Sequence, residues 1–375
     1  MGRTLEISIA AGGTAGHINP ALALAEELTA RGHHVTFFGQ SHKLEGKLVP
    51  EAGYDFEEIR VTGFDRARPW TLFSALWRMR RARGILSRRF AEVGRPDVAI
   101  GFGAYVEMPL LEWCRSAKVP YVIHEQNSVP GLANKTCAHD AAAVCVSFPG
   151  ALPEFEGRIG DATKLVVTGN PVRSSVVRAS RKDGRDAFGV RDEEVMLLVF
   201  GGSLGARHLN EAMTALAPAI EERRNVRVVH STGNELFDEV TSSMALSDEL
   251  SGRWQVMPYI QNMGEALAAA DVVVSRAGAS SIAEIAALAV PSVLVPYPLA
   301  TGDHQTTNAH YLVDAKAATL VPDDRLDDGL LADALLPLLD EAERRDAMRK
   351  AARSLGQDRA AKVLADEVEA AAATS

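Results

Sequence analysis

The run Gly12-Gly13-Thr14-Ala15-Gly16-His17 lies between an apolar stretch, LEISIAA, and a helical pattern that sets in near Pro20. Where a strand hands over to a helix, missing β-carbons let the backbone approach a ligand closely, and the unpaired N–H groups of the helix start favour anions. A phosphate group suits such a place; a tight turn with no ligand is the alternative. A second handover, Gly201-Gly202-Ser203-Leu204-Gly205, follows the apolar run VMLLVF, and two matching loops in equivalent places favour the ligand. His17 stands at the start of the first helix. Its side chain serves as a base near neutrality, and a helix start tends to keep imidazole neutral, as a proton acceptor must be. A structural or merely solvated histidine is the other reading.

The spacing in GGTAGH does not fit GxGxxG, and the second strand ends FFGQ without a ribose-binding acid, which disfavours a nicotinamide cofactor. Neither loop carries GxxxxGK[ST], so a nucleotide-hydrolysing P-loop is excluded as well. A sugar nucleotide remains. The stretch ADVVVSRAGASSIAEIAAL supplies a third helix start, with Gly278 followed by Ser280 and Ser281, and Glu284 one turn further on the same face, where a carboxylate accepts hydrogen bonds from ribose hydroxyls. A solvated or capping glutamate is the plain alternative. Downstream, PYPLATGDHQTTNAHYL offers Asp303, His304, Gln305 and Asn308 to sugar hydroxyls and an acetamido group, although an N-cap at Asp303 explains part of that pattern. No Asp-x-Asp occurs, so no carboxylate pair is expected for a metal-bound diphosphate, and no metal or cofactor is assigned.

These residues must be positioned by alternating strands and helices. The order of strand-like runs, LEISIAA, HHVTFFG, PDVAIGFG, VPYVIHEQN, AAAVCVSF and KLVVTGN, followed by a restart at VMLLVFGG, predicts an α/β protein of two doubly wound, Rossmann-like parallel-sheet domains. The seam falls at VVTGNPVRSSVV, giving domains 1–172 and 173–350, with an alanine-rich helix over 351–375 that packs back onto the first domain. The length of 375 residues and the ordinary balance of 47% hydrophobic and 24% charged residues fit two well-cored domains. No export signal and no membrane span are expected. Cys114, Cys137 and Cys145 lack disulfide or zinc spacing.

The net charge of −9 is uneven: residues 1–173 carry 20 Lys+Arg against 18 Asp+Glu, and the remainder carries 20 against 31. The segment Arg66 to Phe90 holds eight arginines and no acid. Leu72, Leu76, Met79, Leu86 and Phe90 fall near one helical face, with Trp70, Phe73 and Trp77 beside them, which predicts contact with an anionic membrane surface. An ordinary core helix is the bland account. The acidic second half opposes nucleic acid as a partner.

With AGGTAGHINPALALA, GFGAYVEMPLL, HEQNSVPGLANK, GNPVR, FGGSLGARHLN, SRAGASSIAEIAAL and DHQTTNA in this order, nearly the whole chain resembles the MurG family of peptidoglycan glycosyltransferases. The resemblance implies a glycosyltransferase B fold, two domains facing across a cleft, and transfer of GlcNAc from UDP-GlcNAc to the C4 hydroxyl of undecaprenyl-diphospho-MurNAc-pentapeptide with inversion. It places Gly12, Gly13, Gly101, Gly103 and Tyr105 on the acceptor side. Thr14, Ala15, Gly16 and Asn127 line the sugar, Arg173, Ser203 and Gly205 lie near the donor phosphates, and Ile260 near uracil. Ala279, Ser280, Ser281, Ile282, Ala283 and Glu284 hold phosphate and ribose, and Gln305 the sugar hydroxyls. His17 is the base and Glu125 its rival. Ala15 departs from the family, many of whose members carry glycine there. The implied location is the cytoplasmic face of the cell membrane, as a peripheral protein. Another UDP-sugar transferase, a UDP-GlcNAc 2-epimerase or a non-catalytic nucleotide-sugar sensor would share the fold.

Overall fold

The computed structural model describes residues 3–59, 71–202 and 205–374, with the backbone alone for Thr71–Trp77 and Thr301. The chain divides into two compact units: residues 1–173 together with 359–375, and residues 174–358.

The first unit is a parallel sheet of β1 (Glu6–Ala10), β2 (His34–Gly39), β3 (Asp55–Glu58), β4 (Val98–Gly101), β5 (Tyr121–Glu125), β6 (Ala143–Val146) and β7 (Lys164–Val167). Their order is β3-β2-β1-β4-β5-β6-β7. Alternation along each strand separates two cores. On one face Ile7, Ile9, Phe37 and Ile100 pack with Ile18, Leu22 and Leu28 of the helix Ala15–Ala30. On the other, Phe38, Ala99 and Ile123 meet Leu86 and Phe90 of the helix Thr71–Val93 and Leu110 and Trp113 of the helix Glu107–Ala117.

The helix Ala360–Ala373 completes the first of these cores, burying Leu364, Ala365 and Val368. Polar contacts hold it in register: Arg31 donates to Asp366 at 2.7 Å and to Glu369 at 2.9 Å, and His33 Nε2 lies 2.8 Å from the same glutamate. Residues 351–358, grouped with this helix in the sequence reading, stay with the second unit, where the helix Ala342–Arg353 ends. Arg173 is likewise moved. It clusters with the first unit, and its guanidinium binds Glu26 of the helix Ala15–Ala30.

The second unit repeats the scheme with β8 (Val195–Phe200), β9 (Val226–Ser231), β10 (Trp254–Met257), β11 (Val272–Ser275), β12 (Ser292–Leu294) and β13 (Ala318–Leu320), ordered β10-β9-β8-β11-β12-β13. Every residue of β8 is buried, which is why VMLLVF reads as a continuous apolar run. In both sheets the strand order reverses beside the first strand, between β1 and β4 and between β8 and β11. Crossovers leave in opposite directions there, so the carboxyl ends of those strands are where a parallel sheet leaves room for a ligand.

The basic segment is described only in part. Residues 60–70 and the side chains of Thr71–Trp77 lie outside the described residues. Within the rest, Leu86 and Phe90 are core residues at 2% and 6% exposure, and Phe90 stacks against Trp113 with ring centroids 4.3 Å apart. These two side chains are therefore removed from any membrane-facing stripe. Arg80, Arg81 and Arg88 are exposed at the surface, Arg81 with a partner of its own, and Arg89 is paired with Glu57. Among the described residues no helix is long and apolar enough to cross a membrane.

Candidate functional site

In the first unit the exits of β1, β4 and β5 bring together Gly12 to His17, Gly101 to Tyr105, and Glu125 with Asn127. Two glycines here adopt positive φ, Gly13 at +87° and Gly103 at +85°. Beneath each is a buried acid side chain. Gly13 N–H donates to Glu45 Oε2 at 3.1 Å, while Glu45 Oε1 accepts from Gln40 N–H at the same distance. Gly103 N–H donates to Glu107 Oε2. The first glycine loop thus already meets an anion, and that anion belongs to the chain itself. The helix start beyond it is different: Thr14 is extended and makes no side-chain cap, leaving the first turn at Ala15 and Gly16 open to a ligand.

Thr14 Oγ1 instead lies 2.9 Å from His17 Nδ1. With Nδ1–H donating to that hydroxyl, Nε2 carries the lone pair. The half-buried ring lies over Gly103, where an added β-carbon would come within 3.2 Å of His17 Cδ2 and 3.4 Å of Nε2. Burial lowers the His17 pKa and the Glu45 charge works against that, so the net result is a neutral imidazole able to accept a proton.

Glu125 is 2% exposed, and both its oxygens are engaged. Oε1 accepts from Asn127 N–H at 2.9 Å, and Oε2 from Gly131 N–H at 3.0 Å and Asn134 Nδ2 at 2.8 Å. Burial raises its pKa even against these donors. Such a carboxyl staples the loop that follows β5. His124 beside it is fully buried, bonded to Gly169 O at 3.0 Å, and held neutral with its pKa down to about 4 by burial. Tyr105 stands exposed at the rim, and Gly101 leaves space for the Glu107 side chain.

In the second unit the exits of β8 and β11 carry the other cluster. Gly205 (φ +80°) packs so closely on Thr232 O that no side chain fits, while Ser203 lies outside the described residues. The helix Ala279–Ala287 begins at Gly278 with no side-chain cap. Ala279, Ile282 and Ala283 are buried, so only backbone atoms of these three are available to a ligand. Ser280 Oγ is buried without a hydrogen-bond partner. Glu284, a turn further, is half-buried, and desolvation pushes its pKa up to about 7. Gln305 Oε1 ties two strand exits together, accepting from Ala277 N–H at 3.1 Å and Tyr297 N–H at 2.9 Å. Asp303 accepts from Thr306 Oγ1 at 2.7 Å and so organises its own turn. Ile260 is set apart: it follows β10, two strands from β8, and its side chain is 1% exposed.

Several supporting residues escape a reading by motif. Glu45 and Glu107 fill the space that Gly12 and Gly101 vacate, Asn134 anchors Glu125, and Arg276 donates to Val295 O and Pro296 O at 3.2 and 3.1 Å and pairs with Asp323. An acid inside the apolar run AYVEMPLL is the one local signal among them.

The glycosyltransferase family 28 N-terminal domain matches residues 7–146, and the family 28 C-terminal domain matches residues 196–367. Over 369 residues, 97% of this chain and 98% of the relative, the sequence is 36% identical to the UDP-N-acetylglucosamine–N-acetylmuramyl-(pentapeptide) pyrophosphoryl-undecaprenol N-acetylglucosamine transferase of Halothermothrix orenii. It is 38% identical to the protein of the same name from Desulforudis audaxviator, across 97% of this chain and 98% of the relative. The crystal structure of Acinetobacter baumannii MurG superposes with a TM-score of 0.75 at 28% identity, covering 97% of this chain and 99% of that one.

Glu107 gives a direct test of the geometry under Gly103. Its carboxyl is fully buried and its pKa is raised to about 8, by desolvation first and by the nearby Glu125, against the bond from Gly103. The folded state therefore keeps a proton that the unfolded chain loses above pH 4.5, and stability falls as pH rises from about 5 to 8. Glu107→Gln removes this slope, with a relative gain reaching about 5 kcal/mol at most by pH 8, measured by urea unfolding at several pH values. Parallel slopes for the two proteins would mean that the buried carboxyl is ionised.

Proposed function

Because the chain belongs to the family of UDP-N-acetylglucosamine–N-acetylmuramyl-(pentapeptide) pyrophosphoryl-undecaprenol N-acetylglucosamine transferases, built of glycosyltransferase family 28 domains, we propose that it moves GlcNAc from UDP-GlcNAc to lipid-linked N-acetylmuramyl pentapeptide in peptidoglycan synthesis. The structural observation that carries this reading is the start of the helix Ala279–Ala287. It is uncapped, a buried and unpartnered Ser280 hydroxyl lies in its first turn, and Glu284 follows one turn later. Diphosphate oxygens suit the open N–H groups and the hydroxyl, and a ribose diol suits the carboxylate. Gln305, with its carbonyl oxygen committed to backbone, presents its amide nitrogen to the sugar.

In the reaction the acceptor's C4 oxygen forms a bond to the anomeric carbon as the bond from that carbon to the β-phosphate oxygen breaks. UDP leaves, the configuration inverts, and the hydroxyl proton passes to His17 Nε2. His17 is favoured over Glu125 because its Nε2 is available and neutral, whereas each Glu125 oxygen already accepts loop donors. The open helix start at Ser280 stabilises the charge that develops on UDP. The side chain of Ile260 is packed away, so we assign uracil recognition there to backbone atoms. Arg173, held by Glu26, is left without a phosphate role in the resting protein.

A lipid-linked acceptor brings the protein to a bilayer. For the described part of the basic helix we retain an electrostatic contribution from Arg80, Arg81 and Arg88, at about 1 kcal/mol for each arginine near an anionic surface, and drop the apolar contribution of Leu86 and Phe90.

Three outcomes test this reading. UDP should be released only when lipid-linked muramyl pentapeptide is supplied, and His17→Ala should lower kcat by roughly 10²- to 10⁴-fold while UDP affinity holds; UDP release without acceptor, or formation of a ManNAc product, marks a hydrolase or an epimerase instead. Binding of the ribose diol requires Glu284 ionised, so donor binding should release a proton near pH 7 and weaken as pH falls below 7. Calorimetry in buffers of different ionisation enthalpy reads that proton, and Glu284→Gln should abolish it. Replacing Arg80, Arg81 and Arg88 with serine should reduce sedimentation with anionic liposomes, most clearly at low salt; retention equal to the parent protein rules out this surface.

A further inference from the structure

Asp323 stands just past the end of β13, and its two oxygens face different elements. Oδ1 takes the guanidinium of Arg276, at the exit of β11, and Oδ2 lies 2.9 Å from His208 Nδ1, in the first turn of the helix Arg207–Ala215 that follows the glycine loop after β8. Arg276 also donates to Val295 O and Pro296 O at the exit of β12. One carboxylate therefore connects the exits of β8, β11, β12 and β13, which are consecutive neighbours in the sheet.

The second nitrogen of His208, Nε2, lies 3.3 Å from Asp327 Oδ2. Ionised carboxylates only accept hydrogen bonds, so an imidazole that bonds one through each nitrogen must be the doubly protonated cation. The bond to Asp323 raises the His208 pKa above its ordinary value, with Asp327 adding to it. Burial alone would raise the Asp323 carboxyl, but bonds from His208 and Arg276 overcome this and hold it low. Both arginines on these elements are already paired, Arg207 with Glu239 and Arg325 with Asp328, while Glu211 and Asp324 lie on the same elements as further carboxylates. A cation in a first helical turn opposes the helix dipole, so the flanking carboxylates are needed to keep it there.

We propose that Asp323 and the His208 imidazolium are positioning residues for the nucleoside-diphosphate sugar, holding the start of the glycine-loop helix and the turn before the helix Ala279–Ala287 at the separation its diphosphate requires. This rests on the donor site described above. Loss of the His208 proton breaks one bond of the strut and slackens the rim, so donor affinity carries a second, basic-side pH dependence, opposite in sign to that of Glu284.

The test is UDP affinity by calorimetry for the intact protein, His208→Gln and Asp323→Asn, from pH 6 to 9. Glu284 is common to all three, so its titration cancels in ratios. His208→Gln should bind UDP several-fold to about tenfold more weakly at pH 6, with the deficit shrinking as pH rises toward 9. Asp323→Asn should lose more than tenfold throughout, with kcat at saturating donor little changed. A ratio of one at every pH, or a constant deficit without pH dependence, overturns the proposal. If Asp323→Asn fails to fold, the His208→Gln ratio decides alone. Failure of the parent protein to bind UDP would remove the donor site itself, and the proposal with it.

Discussion

A parallel strand ends with N–H and C=O groups directed past the sheet, and where neighbouring crossovers depart in opposite directions no chain covers them. Both sheets have this opening beside their first strand, at β1/β4 and at β8/β11. What can sit there is decided by which of those polar groups the chain has already satisfied. The buried strands, the flanking helices and the glycines with positive φ all serve to hold that edge open without collapse.

The two units satisfy it in opposite ways. In the first, acid side chains rise from below: Glu45 and the protonated Glu107 accept from the N–H groups of Gly13 and Gly103, so the glycine turns are stabilised internally and those two donors are no longer open to an anion. What remains is an imidazole with an available nitrogen, better matched to a hydroxyl than to a phosphate. In the second, the support comes from groups that leave donors exposed: Gln305 uses its oxygen on backbone, Arg276 neutralises Asp323 from the side, and the helix start at Gly278 stays uncapped. Negative charge is welcome at this helix start.

Much of this was legible beforehand because it is local. Periodicity and glycine placement gave two parallel-sheet units, and order and spacing of motifs such as GGTAGH and SRAGASSIAE pointed to the family. The remainder depends on contacts between distant residues. Nothing near Glu45 announces that it lies under Gly13, and the sequence separation of 115 from His208 to Asp323 leaves no pattern to follow. Helical periodicity also cannot distinguish a face buried against Trp113 from one offered to lipid, which is why Leu86 and Phe90 were misplaced. Glu125 sits in a promising motif, but its loop bonds become visible only once Gly131 and Asn134 are seen to fold back on it.

The helix Ala360–Ala373 lies in the core of the first unit although the whole second unit separates it from the rest of that core. During synthesis residues 1–173 thus emerge long before Leu364 and Val368 exist to cover Ile18 and Leu22, whereas residues 174–358 form an uninterrupted segment. The unit made first is therefore the one whose core is completed last, by a helix that leaves the ribosome only after every residue of the second unit has been synthesised.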